Sequence, residues 1–205
     1  MHVFKSPLAR IPILPPLRAD LSWVQFIIRN LPNEISLASP DPIDLQWWGD
    51  ASSSFGVGVT IGSHWAVWKW APGFIVGPRQ SYDIGWAEAV AVELGLRLAM
   101  DLNLFSATNH QGCSFLVRSD NAGIIAVTNK GQSCSRETNK ILKHVYLLQA
   151  QHHIRLKMIH VTSCDNISDA LSRGAISKFL AGFPSVNIHA SIPLPDHLSG
   201  KMVSL

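Results

Sequence analysis

The sequence predicts a mixed α/β domain over residues 44–178: a five-stranded, partly parallel sheet flanked by helices, in the order βββαβααβα. Three observations carry this expectation. The runs Leu45–Gly49, Phe55–Ile61 and Trp65–Trp70 are rich in β-branched and aromatic residues, and Gly62-Ser63 between the last two reads as a tight turn. From Trp86 to Leu104, Ala87, Val90, Ala91, Leu94 and Leu98 recur at helical steps, which predicts a helix buried along one face. Two later β-type runs are separated by helical stretches, and strands joined through helices are normally parallel with a right-handed crossover.

The remaining elements follow in order. A Gly/Pro loop (Pro72, Gly73, Gly77, Pro78) separates the three-strand meander from the long helix. Ser114–Val117 is a strand that runs into Arg-Ser-Asp-Asn, after which Asn121 opens a short helix. Ser135–Gln151 is a second helix with Ser135 as its N-cap. Ile154–Val161 alternates as a last strand, and Ile167–Leu180 reads as one closing helix. Residues 1–43 hold seven of the twelve prolines and are expected to be a connector with one short helix near Asp20–Leu31. The tail over 179–205 shows neither a 3.6 nor a 2.0 period and is expected to be poorly ordered.

Composition narrows the class. With 15% charged residues among 205 and a positive mean hydropathy, the chain is no disordered polyelectrolyte and can bury a core. Cys113, Cys134 and Cys164 are odd in number and unrelated in spacing, so neither a disulfide framework nor a CxxC zinc site is expected. A reducing, intracellular setting, cytoplasmic or nuclear, is the expectation. The longest apolar stretch, 84–105, is broken by Glu88, Glu93, Arg97 and Asp101, so no membrane association is expected. The prolines near the N-terminus leave no uninterrupted apolar run for a secretory signal.

Three acids sit where carboxylates are costly. Asp50 ends a Trp-Trp-Gly strand, Asp120 ends Phe-Leu-Val-Arg-Ser, and Glu88 lies between Ala87 and Ala91 on or beside an apolar helix stripe. Ionised carboxylates against apolar neighbours require a partner, and acids at the ends of neighbouring parallel strands either raise each other's pKa or recruit a divalent cation. A cluster of hard oxygen ligands selects Mg²⁺ or Mn²⁺. Each residue also has a plainer reading. Asp50 suits a turn, Asp120-Asn121 suits a helix N-cap, Glu88 suits a solvated helix edge, and Asp169 suits first-turn compensation of a helix dipole.

Taken together, four blocks resemble the ribonuclease H domain: Asp50-Ala-Ser, Ile84-Gly-Trp-Ala-Glu-Ala-Val-Ala-Val, Ser119-Asp-Asn and Asp165-Asn-Ile-Ser-Asp-Ala-Leu-Ser-Arg173. The similarity, over about 44–175, is greatest to the version in retrotransposon reverse-transcriptase polyproteins. The connector, notably Asp20-Leu-Ser-Trp-Val-Gln-Phe, more loosely resembles the segment that joins polymerase to ribonuclease H there. No polymerase motif is present, so a detached portion of such a polyprotein, with a polymerase region as a possible partner, is expected. The resemblance implies a ribonuclease H-like fold and hydrolysis of the RNA strand of RNA–DNA hybrids with two Mg²⁺ or Mn²⁺ ions. It implies Asp50, Glu88, Asp120 and Asp169 as the catalytic, metal-holding set, with Asp50 bridging both ions. Glu88 fits the family's glutamate better than Glu93, with Ala91 three and Leu96 eight residues on. Glu93 lies about 140° further around the helix, so the two are not expected to reach one metal pair. The family's mobile histidine has no clear match; His160 lies on the preceding strand and suits a half-buried strand position instead.

The substrate's charge must also be met. Without those four acids the rest of the domain is net positive, and Arg136, Lys140 and Lys143 step by four and three along one helix. With Lys130, they are candidate contacts to a phosphate backbone, although lysines and arginines also populate ordinary solvated faces. Ser52 and Asn121, beside the carboxylates, are further candidates. Trp47, Trp48, Trp65, Trp68, Trp70 and Trp86 suit core bulk more readily than base stacking. Two rival functions remain: a non-catalytic nucleic-acid-binding or tethering module, and another metal-dependent nuclease or DNA-joining enzyme on the same fold.

Overall fold

A computed structural model describes residues 12–30, 41–105 and 112–205. The chain divides into two compact units, 1–35 and 36–205. In the first, α1 (Pro15–Asn30) is the helix expected near Asp20–Leu31, beginning earlier because prolines are tolerated in a first helical turn. It buries none of its residues, and Leu17, Leu21, Val24 and Ile28 form one exposed apolar face. The rest of the expected connector, 1–11 and 31–40, lies outside the described residues.

The second unit follows the expected order through β1 (Ile43–Ala51), β2 (Gly56–Ile61), β3 (His64–Trp70), α2 (Ile84–Asp101), β4 (Ser114–Ser119), α3 (Ala122–Lys130), α4 (Arg136–Gln151) and β5 (Arg155–His160). It is a mixed α/β architecture. The meander β1–β2–β3 is antiparallel, β4 joins β1 in parallel and β5 joins β4 in parallel. Ser135 caps α4 by accepting from the Thr138 amide, as its sequence position predicts.

Two features depart from expectation. The closing helix is split into α5 (Asp169–Ser172) and α6 (Ile176–Gly182), because Gly174 adopts φ +76°, a left-handed conformation that ends α5. The tail over 179–205 is not poorly ordered. Beyond α6 it forms β6 (Ile188–His189), a short 3-10 helix (Asp196–Leu198) and β7 (Met202–Ser204). The sheet therefore has seven strands rather than five, with β6 parallel and β7 antiparallel to successive stretches of β3. The physical reason is edge protection. β3 carries Trp65, Val67, Trp68 and Trp70 and would otherwise offer a long apolar edge; the tail pairs with it and buries Val186, Ile192, Leu198 and Met202. Segments of two and three residues are too short to show a period, which is why the sequence pattern looked featureless.

The core lies on both faces of the sheet. On one, α2 packs its buried row from Trp86 to Ala99 against the strands, with Ile124 of α3 and Ile141 and Val145 of α4 in the same cluster. On the other, Leu171 and Phe179 of the closing helices meet Trp65 and Val67. Five of the six clustered tryptophans are buried, as bulk; Trp48 is half-buried beneath the Arg118 guanidinium, 4.9 Å from its ring.

Candidate active site

Parallel pairing builds the site. Trp47 and Trp48 of β1 are in register with Val117 and Arg118 of β4, so two residues further on Asp50 comes beside Asp120. That register is pinned from the opposite end. Gln46 takes φ 55° in an irregular stretch of β1, its amide donates to Asp44, and Asp44 accepts a bidentate pair from Arg118 at 2.7 and 2.5 Å. The Arg118 guanidinium holds the Asp44 carboxyl below the usual range, so this acid is a clasp rather than a site residue.

Glu88 arrives from the first turns of α2, whose N-terminus Asp83 caps by accepting from the Trp86 amide. It is buried, and one of its carboxylate oxygens lies within 4.8 Å of an oxygen of Asp50 and of one of Asp120. Asp169 opens α5 and lines the same open cleft together with Asn121, Gly123 and Arg173. It lies outside the tight trio and pairs with Arg173 at 2.7 Å. The approach of α5 depends on Gly58 in β2. A Cβ there would lie 2.5 Å from the Leu171 Cβ and 2.8 Å from the Ser172 amide nitrogen, so any side chain would push the helix away from Asp50.

The electrostatics are those of carboxylates crowded into a partly buried site. Burial, reinforced by the charges of Asp120 and Asp169, pushes the Asp50 carboxyl up to about 7 even though the Ser172 hydroxyl donates to it. Burial also raises Glu88 well above its ordinary value, with Asp50 and Asp120 adding to the rise; hydrogen bonds from Asn121 and the Ala51 amide offset only part. Burial pushes Asp120 up as well, but hydrogen bonds from Ser163, Asn166, its own amide and Asp50 outweigh it and leave the group below the usual range. The two neighbours are thus driven apart, Asp50 toward its neutral form and Asp120 toward its ionised form.

Two residues that sequence reasoning did not single out complete the shell. Asn166, buried, donates from its side-chain amide to Asp50 and to Asp120, at 3.1 Å each. Ser172, buried, donates to the other oxygen of Asp50. Both stand inside the Asp165–Arg173 block; their signal was a polar side chain at a helical step beside an acid, which a lone sequence does not separate from ordinary helix capping.

The other expected positions are mixed. Asn121 caps α3 through the Gly123 and Ile124 amides and also bonds Glu88, so the capping and site readings hold at once. Ser52 does not face the cleft as a substrate contact: it is buried, donates to the Ser172 carbonyl at 2.5 Å and accepts from the Phe55 and Gly56 amides. The small residue after a strand-ending acid is used to tie β1 to α5. Lys130 is exposed at the end of α3, Arg136 and Lys140 are exposed on α4, and Lys143 is half-buried. Lys140 pairs with Glu137 at 2.7 Å. His160 is exposed rather than half-buried and lies in register with Ser119, one residue before Asp120. Glu93 stays away from the cleft: fully buried, it accepts from Arg97 at 2.8 Å and meets His197 at 2.9 Å.

No protein-family model matches the chain, and no curated protein does. Among solved structures, it is similar to the ribonuclease H1 of the halophilic archaeon Halobacterium salinarum, at 15% identity and a TM-score of 0.43, over 64% of this chain and 96% of that one. It is also similar to the N-terminal ribonuclease H domain of a Mycobacterium tuberculosis protein, solved as a fusion with maltose-binding protein. That likeness has 15% identity and a TM-score of 0.42, over 66% of this chain and 94% of the other. Among the described residues no helix is long and apolar enough to cross a membrane.

Proposed function

We propose that this protein is a metal-dependent endonuclease that hydrolyses the RNA strand of RNA–DNA hybrids, derived from a retroelement polyprotein. The observation that supports the reading most is the trio Asp50, Glu88 and Asp120, with ligand oxygens within 4.8 Å of one another and Asp169 on the same cleft. The donor set fits Mg²⁺ or Mn²⁺: all ligands are hard oxygens, and two of the buried carboxyls are pushed up by burial and by their neighbouring carboxylates. Asp50, Glu88, Asp120 and Asp169 would hold a pair of such ions, which would supply an activated water and neutralise the leaving 3′ oxygen in phosphodiester hydrolysis.

The chain's own residues prepare the site. Asn166 bridges Asp50 and Asp120 and fixes their mutual orientation, while Ser172 holds the second oxygen of Asp50. A proton on Asp50 would compete with a cation for the same oxygens, so cation occupancy would rise with pH. Arg173, exposed and paired with Asp169 at the edge of the cleft, would offer its remaining guanidinium donors to a substrate phosphate. Arg136, Lys140 and Lys143 on α4, with Lys130, supply positive charge for the backbone of the duplex, whose shape and 2′-hydroxyls are read in preference to its bases. A reverse-transcriptase polymerase region as partner belongs to the same proposal.

The testing experiment is cleavage of a labelled RNA–DNA hybrid by the purified full chain in Mg²⁺ or Mn²⁺, beside DNA and RNA duplex controls. Hybrid-specific, metal-dependent cutting that Ca²⁺ suppresses supports the reading. Salt-dependent binding of hybrid with no cutting in either metal overturns it in favour of a tethering module. Cutting of duplex DNA instead of hybrid points to a different nuclease on the same fold.

A further inference from the structure

A second cluster stands away from the carboxylate cleft. Glu93 of α2, His144 of α4 and His197 of the C-terminal 3-10 helix each offer one ligand atom, and these atoms lie within 4.8 Å of one another. Glu93 is fully buried and the two histidines are half-buried. Their imidazole rings stack with centroids 3.9 Å apart and planes 7° from parallel. We propose that Glu93, His144 and His197 form a binding site for a zinc-class transition-metal ion that staples the C-terminal segment to α2 and α4.

The donor chemistry selects the ion. Two imidazoles and one carboxylate are the ligand types of Zn²⁺ and Co²⁺, whereas the cleft of hard oxygens suits Mg²⁺. A tetrahedral zinc ion with ligands at about 2.0–2.1 Å requires ligand atoms about 3.3 Å apart. The Glu93 to His197 pair, at 2.9 Å, is near that spacing, whereas the His144 and His197 rings, stacked in nearly parallel planes, have to swing out of the stack for both to aim a nitrogen at one ion. Arg97 occupies the other oxygen of Glu93 at 2.8 Å and fixes the carboxylate's orientation. Its positive charge sets the affinity below that of a fully anionic site, and three protein ligands leave the fourth position to water. On binding, any proton on the ligating nitrogens of His197 or His144 is displaced to solvent or to the opposite ring nitrogen.

The placement explains what the ion would do. His197 sits between β6 and β7, the two strands that cover the edge of β3, and Lys201 reinforces that turn by donating to the His197 carbonyl. Holding His197 to two helices holds the cover in place. This role is independent of nuclease activity.

The site is tested by titrating the full chain carrying Asp50→Asn and Glu88→Gln, which weakens the carboxylate cleft, with Co²⁺ and reading the intense visible absorption of four-coordinate cobalt. One equivalent is expected to bind and to be displaced by Zn²⁺. Adding His144→Gln or His197→Gln should weaken binding by more than about tenfold. Circular dichroism checks that each variant is folded, and glutamine at 197 keeps a hydrogen-bond donor toward Glu93. Zn²⁺ should also slow amide exchange across 196–204. Absence of one-equivalent binding, binding indifferent to both histidine substitutions, or exchange in 196–204 unchanged at saturating Zn²⁺ would each overturn the proposal.

Discussion

Glu88 and Glu93 stand five residues apart on one helix, both buried, and their surroundings could hardly differ more. Glu93 is answered by Arg97 one turn on and by His197 from the tail. Glu88 faces two more carboxylates, and its only offsets are Asn121 and the Ala51 amide. The first environment satisfies a charge within the protein, whereas the second leaves charge unmet in a cleft open to solvent. On the proposed function, the second environment is the one that a divalent cation would complete.

The comparison breaks most sharply in activity. If the proposed function holds, Glu88→Gln and Asp50→Asn should each lower hybrid cleavage by more than about a hundredfold in single-turnover assays, because each removes a charge that would hold the cations. Glu93→Gln should leave the rate of the folded fraction within a few-fold. Similar losses from Glu88→Gln and Glu93→Gln would erase the distinction.

Stability should move in the opposite sense. Glu93→Ala strands Arg97 and removes the tether to His197, and should cost about 3 kcal/mol in denaturant unfolding. Glu88→Gln should be neutral or stabilising when no divalent cation is added, since it removes like-charge repulsion and burial of an anion.

A pH series sharpens the same contrast. Below about pH 4 Asp50 is protonated in both the folded and unfolded states and contributes no penalty. Between about 4 and 7 the folded protein keeps a proton that the unfolded chain has released, so stability without metal should fall by a few kcal/mol as pH rises through this window. Asp50→Asn should flatten that slope, and Mg²⁺ should restore stability most at the alkaline end. A metal-free melting temperature that rises across this window would contradict the account of Asp50.

The smallest effect belongs to the basic stripe. Arg136→Ala with Lys140→Ala should weaken hybrid binding modestly and reduce the magnitude of its log–log salt slope by about 2. Unchanged binding would assign those side chains to an ordinary solvated face, with Lys140 serving Glu137.

Much of this was legible in the chain because local patterns carried it. The meander, the apolar stripe of α2, the Ser135 cap and the strand-ending acids each follow from residue types within a few positions of one another. That Glu88 and Glu93 do not share a cleft was also legible, since a five-residue step turns the helix by about 140°, while the preference for Glu88 rested on the resemblance, through Ala91 and Leu96. The tail was not. β6 and β7 exist because β3 needs an edge covered, a requirement set more than a hundred residues upstream. Ser52 was misread for a similar reason: its neighbours in sequence suggested a substrate contact, but α5 came close enough to take its hydrogen bond.

By itself, then, the sequence determined which acids sit at strand ends and on an apolar helix face, and hence which residues have too few local partners to be at rest there. Only the tertiary structure decided which partners each one received. Burial and distance fall steeply with packing, so one buried glutamate of α2 came to meet an arginine and a histidine while another met two aspartates. The pairing of Asn166 with Asp50 and Asp120, and of His197 with Glu93, joins residues 46 to 116 positions apart, beyond any local pattern's reach, through a register set by Asp44 and Arg118 and a helix approach allowed by Gly58.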